Sequence, residues 1–259
     1  VPDTLGGYPV SAIYPAAFSG LTATVINLPD SVTTIREMAF YNCAYLQSIT
    51  LPAGTESVGN NAFDTCTSLE TIDFGGAKTI GQSVFYGCTS LKSVTISGEC
   101  TEISVNGDGD TPFMDASALE EIIVTEGSGN YCTENGVLYN KDKTTLYAYP
   151  SAKKDKEFTL PSTVKEIAQS AFYHAVNLEK VDISGVETIG TYAFEECSAL
   201  KSVKTTNTIT SLGVDAFFNC TSLKSLRFGD KLTTIGSYAY GFYYNEDAVG
   251  AAVKRAIAD

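Results

Sequence analysis

The sequence predicts an α/β repeat protein: a right-handed solenoid with one parallel strand per turn of 22–23 residues, interrupted once by a β-hairpin. Three observations carry that prediction. A small residue followed by an aromatic recurs at Ala17-Phe18, Ala39-Phe40, Ala62-Phe63, Val84-Phe85, Pro112-Phe113, Ala171-Phe172, Ala193-Phe194, Ala216-Phe217 and Ala239-Tyr240, with spacings of 22, 23, 22, 28, 59, 22, 23 and 23 residues. Five residues before the aromatic stands an aliphatic in every unit but one: Ile13, Ile35, Val58, Ile80, Ile167, Ile189, Leu212 and Ile235. Six residues after it stands Leu in seven units: Leu46, Leu69, Leu91, Leu119, Leu178, Leu200 and Leu223. Each Leu opens a segment such as "LQSITL", "LETIDF" or "LKSVTI", whose apolar-polar alternation and β-branched residues read as a short strand.

A period of 22–23 residues carrying "LxxIxL" lies in the leucine-rich repeat range. Strands stacked in parallel sit ~4.7–4.9 Å apart, so equivalent residues form columns along the coil. The interior is then one apolar channel of nearly constant cross-section, and close packing requires every turn to supply the same side-chain volumes at the same places. That requirement explains why the same residue types return at the same offsets.

The pattern "LP-x-S-V-x-x-I-x-x-x-A-F-x-x-C-x-x-L-x-x-I" is nearly whole at 28–49 and partial around 160, 183 and 228. It resembles the BspA-like leucine-rich repeat family over nearly the whole chain, and its "AFxxC" half is uncommon in other leucine-rich repeats. The segment "NGVLYNKDKTTLYAYP", 135–150, is similar to a hairpin that interrupts the coil in relatives. The resemblance implies a cell-surface or secreted binding and adhesion role. It implies no particular ligand and no catalytic set.

Taken in order, repeats are expected over about 1–124 and 158–240, a β-hairpin insertion over about 125–157 and a C-terminal cap over about 241–259, all within one domain. Between Phe85 and Phe113 the extra residues fall in "SVNGDGDTP", whose Gly, Asn, Asp and Pro mark a loop. Asn106, Asp108 and Asp110 begin like a calcium loop, but Thr111 replaces the turn Gly and Ser117 the bidentate Glu, so a solvated bulge is expected. In the insertion, "VLYN" and "TLYAY" flank "KDKT" as two strands and a polar turn. A lone hairpin is marginal in water and must lean on the coil, so Tyr139, Tyr147 and Tyr149 are packing feet or a recognition surface, with feet expected. The Ala-rich C-terminus is helix-prone and reads as the start of a cap, with an aromatic platform at Phe242, Tyr243 and Tyr244 as the alternative.

Composition narrows the function. With 44% hydrophobic and 18% charged residues the chain is globular rather than disordered. Thirty Asp and Glu against seventeen Lys and Arg give a net charge of −13, which repels a phosphate backbone, so no nucleic-acid partner is expected. No run of eighteen apolar residues exists and "VPDTLGGYPV" lacks the features of a signal peptide; a soluble segment with no membrane insertion is expected.

Chemistry finds little foothold. Cys43, Cys66, Cys88, Cys197 and Cys220 all lie three residues after the aromatic, where Ala116 and Ala175 stand elsewhere, and Cys100 matches another inward position. In-register side chains point in parallel at strand spacing, beyond the ~3.8 Å mean Cβ separation of a disulfide. The absence of CxxC pairs and of a second His argues against zinc. Buried, reduced thiols behaving as small hydrophobes are expected, with Cys132 off register and open to reaction or pairing. His174, the only histidine, occupies a position held elsewhere by Asn42, Thr65, Gly87, Asp115, Glu196 and Asn219, a variety that signals solvent. Pairs such as Glu120-Glu121 and Glu195-Glu196 are adjacent in sequence and would face opposite ways on a strand. No catalytic residue, metal or cofactor is predicted.

Binding is the remaining reading. Outward strand positions form two columns, Ser48, Thr71, Ser93, Glu121, Lys180, Ser202, Ser225 and Thr50, Asp73, Thr95, Ile123, Asp182, Lys204, Arg227. Their charge passes from acidic or neutral to basic, giving Asp73, Glu121, Lys180, Asp182, Lys204 and Arg227 as candidate contacts for a protein ligand of complementary charge. A ridge of Tyr41, Tyr86, Tyr173 and Phe218 is the second candidate face, suited to anchoring proteins or stacking on sugars. The expected function is a non-enzymatic, extracellular or cell-surface adhesion module acting as a monomer on a protein ligand. An architectural spacer and a carbohydrate-binding module are the alternatives. If the column argument holds, Phe85→Ala lowers the unfolding free energy by ~3–5 kcal/mol in urea titrations.

Overall fold

The computed structural model describes residues 1–105, 110–127 and 129–241. The chain divides into two units, Val1–Lys141 and Asp142–Asp259. The first unit contains β1 (Thr4–Leu5), β2 (Tyr8–Pro9), β3 (Ala12–Ile13), β4 (Thr34–Ile35), β5 (Ser48–Thr50), β6 (Ser57–Val58), β7 (Thr71–Asp73), β8 (Thr79–Ile80), β9 (Ser93–Ile96), β10 (Glu102–Ile103), β11 (Glu121–Val124), β12 (Tyr131–Glu134) and β13 (Val137–Asn140). The second contains β14 (Thr145–Ala148), β15 (Glu157–Thr159), β16 (Glu166–Ile167), β17 (Lys180–Asp182), β18 (Thr188–Ile189), β19 (Ser202–Lys204), β20 (Ser211–Leu212) and β21 (Thr234–Ile235).

Each unit is a stack of coils with two parallel sheets. In the first, β5, β7, β9 and β11 bear the "LxxIxL" strands and align Ile49, Ile72, Val94 and Ile122. A second ladder of two-residue strands, β3-β4-β6-β8-β10, aligns Ile13, Ile35, Val58, Ile80 and Ile103. In the second unit, β15-β17-β19 align Phe158, Val181 and Val203, while β14-β16-β18-β20-β21 align Leu146, Ile167, Ile189, Leu212 and Ile235. Each turn thus carries a second short strand, where sequence periodicity supported one. Those strands have two residues, too few to show alternation.

Where an α/β repeat would place a helix, the described residues contain none. The reason lies in the backbone around each aromatic. Residues two before it (Met38, Asn61, Ser83, Ser170, Tyr192, Asp215) and two after it (Asn42, Thr65, Asp115, His174, Glu196, Asn219) all have φ between 51° and 59°. Left-handed residues cannot continue a right-handed helix, and each costs about 1–2 kcal/mol unless it is Gly. The compensation is a hydrogen-bond ladder between turns. The amides of Met38, Phe40 and Asn42 donate to the carbonyls of Asn60, Ala62 and Asp64 in the next turn at 3.0, 2.8 and 2.8 Å. The amides between them turn back locally: Tyr41 to Met38 and Cys43 to Phe40, at 2.9 and 3.2 Å. These cross-turn and local bonds take the place of a helix's own ladder for the backbone groups that make them, as buried amides require. His174 belongs to this left-handed series, so its position is a turn requirement of the fold.

The aromatic columns fill the interior. Phe18, Phe40, Phe63, Phe85 and Phe113 stack with ring centroids 5.4, 5.0, 6.4 and 6.3 Å apart in the first unit. Tyr149, Phe172, Phe194 and Phe217 do so at 5.0, 4.6 and 4.9 Å in the second. Phe40, Phe63, Phe85, Phe172 and Phe194 are wholly buried. Such stacked rings contribute about 0.5–1.5 kcal/mol per pair beyond the area they bury.

Two members escaped the sequence pattern. Ile103 supplies the missing aliphatic before Phe113, ten residues upstream instead of five, because the extra residues of that unit fall between them. Tyr149 takes the Phe position of an additional turn, its amide donating to Ala171 O at 2.7 Å as Phe172 donates to Ala193 O. Leu146, only three residues earlier, is that turn's aliphatic. Tyr139 and Tyr149 are buried, as packing feet would be.

In the first unit the antiparallel partner of "VLYN" is β12, joined through Asn135 (φ 52°) and Gly136 (φ 77°), the left-handed pair of a type I′ turn. This hairpin is held to the coil by Ile122 N–H donating to Gly136 O at 3.0 Å and Ile103 N–H donating to the Tyr131 hydroxyl at 3.0 Å.

The cysteines do more than fill space. The thiols of Cys43, Cys66, Cys88, Cys197 and Cys220 donate to the carbonyls of Phe18, Phe40, Phe63, Phe172 and Phe194 in the preceding turn, at 3.0–3.2 Å. Phe40 O therefore accepts both the Cys43 amide of its own turn and the Cys66 thiol of the next. Burial pushes the Cys88 and Cys100 thiols up to about 12 and about 11, which keeps them protonated donors and poor nucleophiles. None of the seven cysteines is in a disulfide, and only Cys132 is partly exposed. A maleimide probe should therefore label Cys132 alone in the folded protein and the other six thiols only in denaturant. Labelling of Cys66 or Cys88 before unfolding, read by peptide mass spectrometry, would overturn the buried thiol ladder.

Candidate binding surface

The candidate positions on β5, β7, β9, β11, β17 and β19 lie on exposed sheet faces, one in each unit; Arg227, expected on a strand, lies outside any described strand, because the long-strand sheet of the second unit ends at β19. In the first, Ser48, Thr50, Thr71, Glu121 and Ile123 are exposed and Asp73, Ser93 and Thr95 are half-buried. In the second, Lys180, Ser202, Lys204 and Arg227 are exposed and Asp182 is half-buried.

The structure shows what the charged members already do. Asp73 and Asp182 each accept the amide of the residue two further on, Gly75 and Ser184, at 2.9 and 3.0 Å, closing the turn that follows the strand. Glu121 accepts the Ser93 hydroxyl at 3.3 Å. Lys180 pairs with Glu157 at 2.7 Å and Lys204 with Asp182 at 2.7 Å, each across one turn. A neighbouring column that the sequence reading left aside does the same: Lys92 pairs with Glu70 at 2.8 Å, and Glu179 receives Lys201 at 2.5 Å and Lys156 at 3.5 Å. The column logic that found the core extends to Glu70, Lys92, Glu179 and Lys201, since each stands one place after the column Leu. Solvent screens exposed pairs of this kind, so they add little stability, and their main effect is to cancel charge locally.

Electrostatic shifts follow the pairing. Burial alone would raise the Asp182 carboxyl, but the Lys204 ammonium and the Ser184 hydrogen bonds outweigh it and hold it below its ordinary value. The Lys201 hydrogen bond similarly lowers Glu179. Glu157 raises the Lys180 ammonium.

The aromatic ridge is only partly present. Tyr41 and Tyr86 are 37% and 46% exposed and Tyr173 is half-buried, whereas Phe218 is 6% exposed. Phe218 is therefore corrected to a packing residue: its ring lies so close to Gly241 that a Cβ there would meet it at 3.3 Å. The Asp115 carboxylate beside the Tyr86 hydroxyl raises it above the ordinary tyrosine value.

A surface feature with no counterpart in the sequence reading is a shallow groove of about 530 Å³ over the short-strand sheet of the first unit. Thr34, Ser57, Thr79, Arg36, Asn60 and Glu102 are among the residues that line it. Arg36 lies 4.5 Å from the centre of the Tyr14 ring. Gly59 and Gly81 in its lining let successive turns approach closely, because a Cβ at either would meet the neighbouring turn's backbone at 2.6 Å.

Among the described residues no group of three or more His, Cys, Asp or Glu is placed to hold a metal. Asn106 and Asp108 of the calcium-like segment, Phe242, Tyr243 and Tyr244, and nearly all of the expected cap lie outside the described residues. No helix among the described residues is long and apolar enough to cross a membrane.

The comparisons with known proteins agree with this architecture. A family model for the BspA type leucine rich repeat region matches residues 11–132 and 143–246 in six copies. The pneumococcal vaccine antigen PcpA aligns at 20% identity and TM-score 0.72, covering 98% of this chain and 85% of its own. A leucine rich cell surface protein from Faecalibacterium prausnitzii aligns at 26% identity and TM-score 0.58, covering 93% of this chain and 78% of its own. A leucine-rich repeat protein from Bacteroides ovatus aligns at 21% identity and TM-score 0.50, covering 95% and 70%. No curated protein matches the chain.

The lowered Asp182 carboxyl sets an acid limit. A depressed folded-state pKa contributes stability that is present above the ordinary value, about 3.8, and lost as pH falls through the folded value. From about pH 5 to about pH 2 the urea midpoint of the protein should fall more steeply than that of Asp182→Asn. Identical slopes would show that the pairing with Lys204 does not hold in solution.

Proposed function

The chain belongs to the BspA-type leucine-rich repeat family, and from that membership we propose that it is a non-enzymatic, cell-surface or secreted module that binds a protein partner through its strand faces. The observation that carries the reading is the set of exposed in-register columns on the two long-strand sheets. A repeat stack presents side chains at fixed intervals over an extended surface, the arrangement repeat proteins use for macromolecular partners. The cell-surface designation of the Faecalibacterium prausnitzii relative supports an extracellular location. Asp73, Glu121, Lys180, Asp182, Lys204 and Arg227 remain the proposed contacts, with Asp73 and Asp182 also serving the fold through their turn hydrogen bonds.

The sugar-stacking alternative rested on the aromatic ridge. Burial of Phe218 leaves that ridge too broken to favour it.

Arrays of extracellular-matrix and host-surface proteins test the proposal. The protein should bind at least one component, and Thr50→Arg with Ser202→Arg, which place bulk on the two exposed faces, should reduce that binding at least about tenfold with an unchanged melting temperature. Binding that survives the double substitution would move the site off the strand faces.

A further inference from the structure

In the turn that follows the last long strand of the second unit, β19, stand two cations that nothing in the described fold consumes. Beside Lys201 and Lys204, the next turn places Lys224 and Arg227 at the equivalent positions, and all four are exposed. The two turns abut: the Thr205 hydroxyl donates to Arg227 O at 2.7 Å. Lys201 and Lys204 are engaged by Glu179 and Asp182. Lys224 and Arg227 have no ion pair or side-chain hydrogen bond among the described residues, in a chain of net charge −13.

We infer that this patch, resting on the strand-face reading above, receives an acidic polypeptide segment whose carboxylates meet Lys224 and Arg227. Charge complementarity selects an anionic partner. The pattern of charge then selects a polypeptide. Adjacent turns are ~4.7–4.9 Å apart, so Lys201 with Lys224 and Lys204 with Arg227 form two rows, one just before β19 and one at its end, continued by the 224–227 segment of the next turn. Carboxylates interrupt them: Glu179 and Asp182 lie one turn away, Glu157 two turns away, and Asp230, which accepts the Asn207 amide, lies beyond Arg227. A polymer with an anion on every residue meets these carboxylates as well as the cations. A polypeptide can carry acidic residues opposite Lys224 and Arg227, and neutral or basic ones opposite Asp182 and Glu179. Discrimination of that kind depends on the repulsive positions as much as on the attractive ones. The exposed hydroxyls of Ser202 and Ser225 between the rows suit backbone or amide groups.

The test uses the whole chain and fluorescence anisotropy of a labelled alternating Glu-Ser peptide. Its Gln-Ser counterpart and polygalacturonate serve as controls. The Glu-Ser peptide should bind, weaken with added salt, and lose at least about tenfold in affinity in Lys224→Gln plus Arg227→Gln. The Gln-Ser peptide should not bind, and polygalacturonate should bind more weakly than the Glu-Ser peptide. Absence of Glu-Ser binding, indifference to the double substitution, or tighter binding of polygalacturonate would overturn the inference. Should the double substitution lower the melting temperature, competition by the Glu-Ser peptide against array binding of the unaltered protein decides, and failure to compete overturns it. Array binding that is lost in Thr50→Arg plus Ser202→Arg yet unaffected by Lys224→Gln plus Arg227→Gln would sink this inference and leave the strand-face reading standing. Loss of neither would sink both.

Discussion

Everything in this protein depends on keeping successive turns in register. Parallel strands at a fixed spacing allow each turn only the volume that its neighbours leave. The Phe column meets that condition with rings stacked 4.6–5.4 Å apart at its best-packed contacts. The same register brings each Cys thiol within 3.0–3.2 Å of the Phe carbonyl one turn back. A displaced turn would lose its ring contacts and its thiol hydrogen bond together, so the packing and polar requirements reinforce each other.

The register also shapes the surface. Because side chains at one position lie above one another, like charges would stack unless the sequence alternates them from turn to turn. It does so at Glu157-Lys180, at Glu179-Lys201 and at Asp182-Lys204, and each of these becomes a cross-turn pair. Lys224 and Arg227 break the alternation, following Lys201 and Lys204 with the same sign. The exception is what makes that end of the face a place for a partner. The left-handed residues flanking each aromatic have a comparable double role: they forbid a helix, yet they are what lets the backbone ladder run along that side of the stack.

Much of the core was legible before any coordinates, and the reason is periodicity. Ile35, Val58, Ile80, Phe40, Phe63 and Phe85 recur at fixed offsets and are all buried. Tyr149 was harder, because its turn shortens the aliphatic-to-aromatic distance from five residues to three and puts Tyr where Phe was sought. Ile103 was hidden by the opposite change, a longer spacing. The candidate faces were legible only as positions. Strand alternation identified Lys180, Lys204 and Asp182 as outward, but it could not show that Lys180 and Lys204 are already paired across turns, nor that Phe218 turns inward.

By itself the sequence determined the coil, its period and the identity of most inward columns, since those follow from volumes repeated along a one-dimensional lattice. Only the tertiary structure decided the second strand of each turn, the absence of a helix among the described residues, the donor role of the thiols and which surface charges stay unspent. Those depend on φ angles and on distances between turns 22 or 23 residues apart, and a list of residue types specifies neither.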